Sequence, residues 1–158
     1  MKIEVDLRDK KIQDNKKIML EIIKQDDEAF TYASKKLKSD HSFNLKAIKN
    51  NKKVYQWMLD KFKYDNKTII FEAVRKDDKD NPFKQQYFDF KNINPKFRDD
   101  FDLVKACLKV NGSYFEDISD RLKSNKELAL MAISQEWGAS VYDTKNSIND
   151  EELLYAHA

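Results

Sequence analysis

Glycine, proline, cysteine and histidine are nearly missing from this sequence, and each scarcity removes a class of protein from consideration. With 2 Gly and 2 Pro in 158 residues, the chain lacks the turn residues that all-β folds and the strand–helix junctions of parallel α/β folds use repeatedly. Its glycines stand apart at Gly112 and Gly138, which excludes the common phosphate-cradling loops. The one cysteine, Cys107, forms no internal disulfide and suits a reducing compartment. No apolar run approaches the roughly 18 residues that cross a bilayer. The opening Met1-Lys2-Ile3-Glu4-Val5-Asp6-Leu7 is charged at every second position, unlike a signal peptide. A cytoplasmic protein with no membrane association is expected.

What is abundant points to helices. Hydrophobic residues make up 41% of the chain and charged residues 37%, enough apolar material for a core beneath a wet surface. Lys, Glu, Gln, Leu, Ala and Met are good helix formers, and the length suffices for one domain. Net charge is +2 but unevenly spread: residues 9–64 carry +6 and residues 112–158 carry −5. The basic half is almost wholly lysine, since the chain holds 4 Arg. Lysine lacks the planar fork that favours phosphate and base recognition, which weakens a nucleic-acid reading.

The chain repeats itself. Ile18-Met19-Leu20-Glu21-Ile22-Ile23 aligns with Phe43-Asn44-Leu45-Lys46-Ala47-Ile48 at an offset of 25 residues. That offset carries Ala29, Ala33 and Leu37 onto Val54, Met58 and Phe62, and a further shift of 60 carries Val54, Met58 and Phe62 onto Tyr114, Ile118 and Leu122. Each trio is spaced i, i+4, i+8, one stripe on one helical face. A short polar residue precedes each first helix, at Asn15, Asp40, Asn66, Asp100 and Asn125, where it can accept from free backbone N–H groups. Polar turns such as Lys24-Gln25-Asp26-Asp27 and Asn50-Asn51-Lys52 join the two helices of a unit. In the fourth unit Gly112 is placed to close a helix in the left-handed conformation. The expected fold is all-α: tandem helix–turn–helix repeats of about 25 residues, as a short α-solenoid or compact helical array. Its units are 15–39, 40–64, 65–99 with an insertion, 100–124 and 125–137, after an N-terminal arm (1–14) and before a C-terminal capping segment (138–158). The alternating Ile3, Val5 and Leu7 read as an extended packing arm or a dimer contact, and residues 149–158 as a capped helix.

Ala106-Cys107-Leu108-Lys109-Val110-Asn111-Gly112 and Tyr32-Ala33-Ser34-Lys35-Lys36-Leu37 match the pattern of a known group. The sequence resembles the tandem helical-repeat family catalogued as domain of unknown function 4116, over most of residues 15–137. The resemblance implies a helical repeat scaffold and brings no catalytic residues.

Unit three exceeds the period by nine residues, between Asp77 and Asp99. Loops and insertions often carry binding function, so Phe83, Tyr87, Phe88, Phe90 and Phe97 are candidate partner-binding anchors. The competing reading makes Tyr87, Phe88 and Phe90 the second helix of the unit, ended by Pro95. Neither His41 nor His157 has a Cys or carboxylate at ligand spacing. Cys107 occupies a recurring core position. Asp77-Asp78-Lys79-Asp80-Asn81 lacks the glycine and glutamate of a calcium loop. Neither an enzyme nor a cofactor is therefore expected. For nucleic acid the candidates are Lys35, Lys36, Lys38, Lys49, Lys52 and Lys53, with Tyr32, Tyr55 and Trp57 interleaved. Packing beside the stripe accounts for those aromatics more simply. The favoured function is a non-catalytic protein-interaction module, such as an accessory protein or a phage- or mobile-element-encoded inhibitor. Nucleic-acid binding, inhibition of a nucleic-acid enzyme, and head-to-tail self-association stand as alternatives.

Overall fold

A computed structural model describes residues 4–75 and 88–135, and every regular element among them is a helix. None is long and apolar enough to cross a membrane. The chain divides into two compact units, Met1–Ala73 and Val74–Ala158. In the first lie α1 (Lys10–Gln13), α2 (Lys16–Gln25), α3 (Lys35–Ser39), α4 (His41–Asn50) and α5 (Asp60–Lys63), with α6 (Lys67–Val74) reaching the boundary. The second holds α7 (Phe101–Val110), α8 (Asp120–Lys123) and α9 (Lys126–Gln135). Among the described residues five 3₁₀ helices intervene: Asp27–Tyr32, Lys52–Trp57, Phe90–Asn92, Pro95–Asp99 and Gly112–Asp117.

Which helix type forms is set by where a capping side chain reaches. Asn15, Asp40, Asn66, Asp100 and Asn125 each accept from the N–H three residues on, at 2.8–3.1 Å, and each starts a long α-helix. All five positions expected to cap do so. By contrast, Asp26, Asn51, Asp89, Asn94 and Asn111 accept from the N–H two residues on. That shorter reach tightens the first turn, and a 3₁₀ helix follows in every case. The four-residue α1 departs from this pattern, since Asp9 also reaches two residues ahead.

The three stripes are buried along their whole length, from Ala29, Ala33 and Leu37 to Tyr114, Ile118 and Leu122. They do not lie on continuous helices, however. The middle residue of each, Ala33, Met58 or Ile118, has extended backbone with ψ of 146°, 155° or 167°. In each case a 3₁₀ helix leads through two extended residues, Ala33-Ser34, Met58-Leu59 or Ile118-Ser119, into a short α-helix. Fully buried aromatics stand at equivalent places, Phe30 and Tyr55 in the first compact unit and Phe90 and Phe115 in the second. The first long helix packs on the second in each unit, α2 on α4 and α7 on α9.

A serine clamp recurs 85 residues apart. Ser34 donates its N–H to Gln13 O at 2.8 Å and its hydroxyl to Asp14, while its Oγ accepts from Leu37 N–H. Ser119 repeats this, donating to Arg98 O at 2.9 Å and to the Asp99 carboxylate, and accepting from Leu122 N–H. The Ser119 hydroxyl, with Arg121 second, holds the Asp99 carboxyl below its ordinary pKa.

Gly112 does not take the left-handed conformation expected of it. Asn111 ends α7 in an extended conformation (φ −151°), so no left-handed residue is needed. Glycine is required instead for proximity: a Cβ at Gly112 meets the Ala132 carbonyl oxygen of α9 at 2.3 Å. Gly112→Ala is expected to destabilise the protein by about 2 kcal/mol, within the usual cost of overpacking. A fall in urea midpoint with an unchanged slope checks this, and an unchanged midpoint refutes the close-approach account.

Candidate interaction surface

Each unit buries one face of its helices and leaves the other to solvent, so any recognition site has to be sought among the outward residues. Among the described residues of the first unit three large apolar side chains stay out: Tyr32 at 46% exposure, Trp57 at 37% and Leu59 at 42%. The packing expected for Tyr32 and Trp57 is therefore not what is found. Each is the last residue of its 3₁₀ helix, one step before the extended stripe residue, and that position points away from the core. Tyr55 does pack, fully buried, with its hydroxyl donating to Lys63 O. The Trp57 ring is fixed by its indole N–H, which donates to Asp27 Oδ2 at 2.9 Å. Gln56 Nε2 donates to the same oxygen at 3.0 Å, so Asp27 ties the two neighbouring 3₁₀ helices together.

A second feature lies on the outward side of α2 and α4. Lys17, Leu20, Glu21 and Lys24 from α2, with Lys46, Lys49 and Asn50 from α4, line an open groove of about 250 Å³. Spacings of three, four and seven residues put each set on one face of its helix. Leu20 and the lysine stems provide apolar lining beneath a cationic rim. Lys24 pairs with Glu21 at 2.7 Å.

Of the lysines expected to meet nucleic acid, Lys49 joins this groove. Lys35, Lys36 and Lys38 lie on α3, and Lys52 and Lys53 in a 3₁₀ helix, all outside it. Lys38 Nζ is engaged with Thr31 O.

The aromatic insertion resolves differently. Phe83 and Tyr87 lie outside the described residues, as do Asp77–Asn81 and the segments 1–3 and 136–158. Phe88, Phe90 and Phe97 are buried, at 5%, 1% and 8% exposure. As anchors for a partner these three are corrected: they are core. Phe90 stacks on Tyr114 at 5.3 Å between centroids, and Phe88 meets the same ring edge-on at 5.8 Å. Phe90, Ile93 and Phe97 occupy the places of Phe30, Ala33 and Leu37, 60 residues earlier. Pro95 begins a 3₁₀ helix rather than ending one, capped by Asn94, because a first-turn N–H needs no partner within the helix.

Cys107 is fully buried and burial pushes its thiol pKa far up, so it is a packing residue. His41 stands exposed at the start of α4, its ring 6.3 Å from that of Phe62. Among the described residues no three His, Cys, Asp or Glu side chains are placed to hold a metal ion.

The model of the family described as domain of unknown function (DUF4116) matches residues 15–63 and 100–142. The chain belongs to this family. No curated protein and no solved structure matches it. The two DUF4116 segments begin at capping residues, Asn15 and Asp100, and both contain the clamp serine. Within the first lie the groove and the exposed Tyr32, Trp57 and Leu59. At the Tyr32 position the second DUF4116 segment has Asp117 instead.

Phe90→Ala is expected to cost about 3–5 kcal/mol of stability, the range for removing a buried phenyl ring. Denaturant unfolding reads it directly, and a loss under 1 kcal/mol would return the ring to the list of surface anchors. Cys107 should resist a soluble thiol reagent in the native protein and react once urea unfolds it; labelling at the same rate in both states contradicts its burial.

Proposed function

We propose that this protein is a non-catalytic recognition module that binds another protein, serving as a small accessory or inhibitory component in a reducing cytoplasm. The observation that supports this best is the exposure of Tyr32, Trp57 and Leu59 on the first unit. Large aromatic and aliphatic side chains are the anchors of protein interfaces, and Trp57 is already oriented by Asp27, so little ordering is left to be done on binding.

Leu59 adds a thermodynamic argument. At equivalent positions Ser34, Asn94 and Ser119 cap the following helix with their side chains. Leu59 makes no such bond, which forgoes about 1 kcal/mol of capping energy. An exposed leucine in place of a cap weakens the scaffold and makes sense where a partner covers it.

Nucleic-acid binding is the second reading, favoured by the same exposure of Tyr32 and Trp57 close in sequence to Lys35, Lys36 and Lys53. The two separate in a pull-down of tagged protein from native-source lysate, with and without nuclease. A stoichiometric protein that survives nuclease and is lost with Trp57→Ala is the expected result. Loss of all partners on nuclease treatment moves the assignment to nucleic acid. Leu59→Ser should raise stability by about 1 kcal/mol through the restored cap while reducing partner recovery. Unchanged recovery with both folded variants removes this surface from the interface.

A further inference from the structure

The groove between α2 and α4 has a composition that the scaffold does not require. Shifting its residues by 85 places Asp102, Lys105, Ala106 and Lys109 on α7, and Met131, Ser134 and Gln135 on α9. These helices pack on each other as α2 and α4 do, with a mixed and nearly neutral face. There Lys105 is paired with Glu127. In the groove, Lys17, Lys46 and Lys49 are exposed and make no ion pair among the described residues. Lysines gathered on one face repel one another, and helices of this kind fold without them in the second unit.

We infer that this groove docks an acidic amphipathic helix of a partner protein. The inference rests on the reading of the first unit as a protein-recognition surface, and it adds the partner's chemistry. The trough is lined over Lys17–Lys24 of α2 and Lys46–Asn50 of α4, a length of about 10 Å along α2 that meets about two turns of a third helix. The partner sets apolar side chains at i and i+3 or i+4 on Leu20 and the lysine stems, the usual mode of helix-in-groove recognition. Its flanking carboxylates meet Lys17 on one side and Lys46 and Lys49 on the other. Nucleic acid fits less well, because neither an aromatic ring nor an arginine lines the trough. An unpatterned polyanion leaves the apolar floor uncovered.

The test uses the full chain and a fluorescein-labelled peptide of about 15 residues, with Leu on one helical face and Glu on its borders. Fluorescence anisotropy at about 0.15 M salt limits long-range attraction between exposed charges. Controls are a scrambled peptide of equal composition, oligoglutamate of equal charge, and oligo(dT). The patterned peptide should bind at least about tenfold more tightly than either peptide control. Lys46→Glu with Lys49→Glu should weaken it by a further factor of about ten or more, and the milder Lys46→Gln with Lys49→Gln by less. Lys109→Glu with Ser134→Glu, on the matching face of the second unit, should leave affinity unchanged. Circular dichroism establishes that each variant is folded. Equal binding of patterned and scrambled peptides, no binding of either, or indifference to the charge reversal overturns the inference. Tighter binding of oligo(dT), lost with the same reversal, reassigns the groove to nucleic acid. A natural partner lost with Trp57→Ala but retained by Lys46→Glu with Lys49→Glu refutes the groove and spares the broader reading. Failure to find any nuclease-resistant partner refutes the broader reading itself.

Discussion

A ten-residue helix does not hold its shape alone in water, because nucleation costs more than so few hydrogen bonds return. Everything else in this structure follows from that limit. α2 lasts by burying Met19, Ile22 and Ile23 against α4, and α7 by burying Leu103, Val104, Cys107 and Leu108 against α9. The 3₁₀ helices between them then bring Phe30, Tyr55 and Phe115 into the space that remains. Gly112 shows how tightly this closes, since its backbone lies where any side chain would strike the Ala132 carbonyl. Capping and clamping bonds to Asn15, Ser34, Asp100 and Ser119 start these short elements in register, supplying the polar half of the same solution.

Much of this was legible in the amino-acid order, because its causes are local. An Asp or Asn before an apolar run predicts a cap, and Asn15, Asp40, Asn66, Asp100 and Asn125 all serve as one. Stripe residues were legible too, and they are buried. What the stripe concealed was the break at Ala33, Met58 and Ile118. A spacing of four is met equally by one continuous helix and by a 3₁₀ turn, two extended residues and a fresh start. The decisive sign lay in the turns: Asp26, Asn51 and Asn111 reach two residues ahead instead of three. Sequence alone does not reveal that reach. As partner anchors Phe88, Phe90 and Phe97 failed for another reason, since an insertion shifts the register and makes core aromatics resemble a loop; the competing reading, which packed Phe88 and Phe90 within the unit, agrees with their burial.

The surface was less legible than the core for a physical reason. Lys17, Lys24, Lys46 and Lys49 converge only because α2 packs on α4, and their pairing is a tertiary fact absent from either helix alone. Taken singly, each lysine is an ordinary solvated side chain on an amphipathic helix. Tyr32 and Trp57 were hidden similarly, one residue from the stripe, where a small rotation separates core from solvent.

Two helix pairs in one chain, alike in buried pattern and unlike in outward face, separate what the fold demands from what it merely permits. Solubility alone asks for mixed charge, as Asp102 and Lys109 of α7 and Glu127 of α9 illustrate. A run of lysines relieved by Glu21 alone costs self-repulsion, and Leu59 in place of a capping serine costs a hydrogen bond. Both departures lie in the first unit, in the segment 15–63 matched by the family model, and both worsen the isolated chain. Each is the kind of local inconsistency that marks a functional surface rather than a folding requirement. A partner of the kind proposed, with carboxylates and apolar side chains, would relieve both at once, so the features that weaken the free protein are those that would favour such a complex.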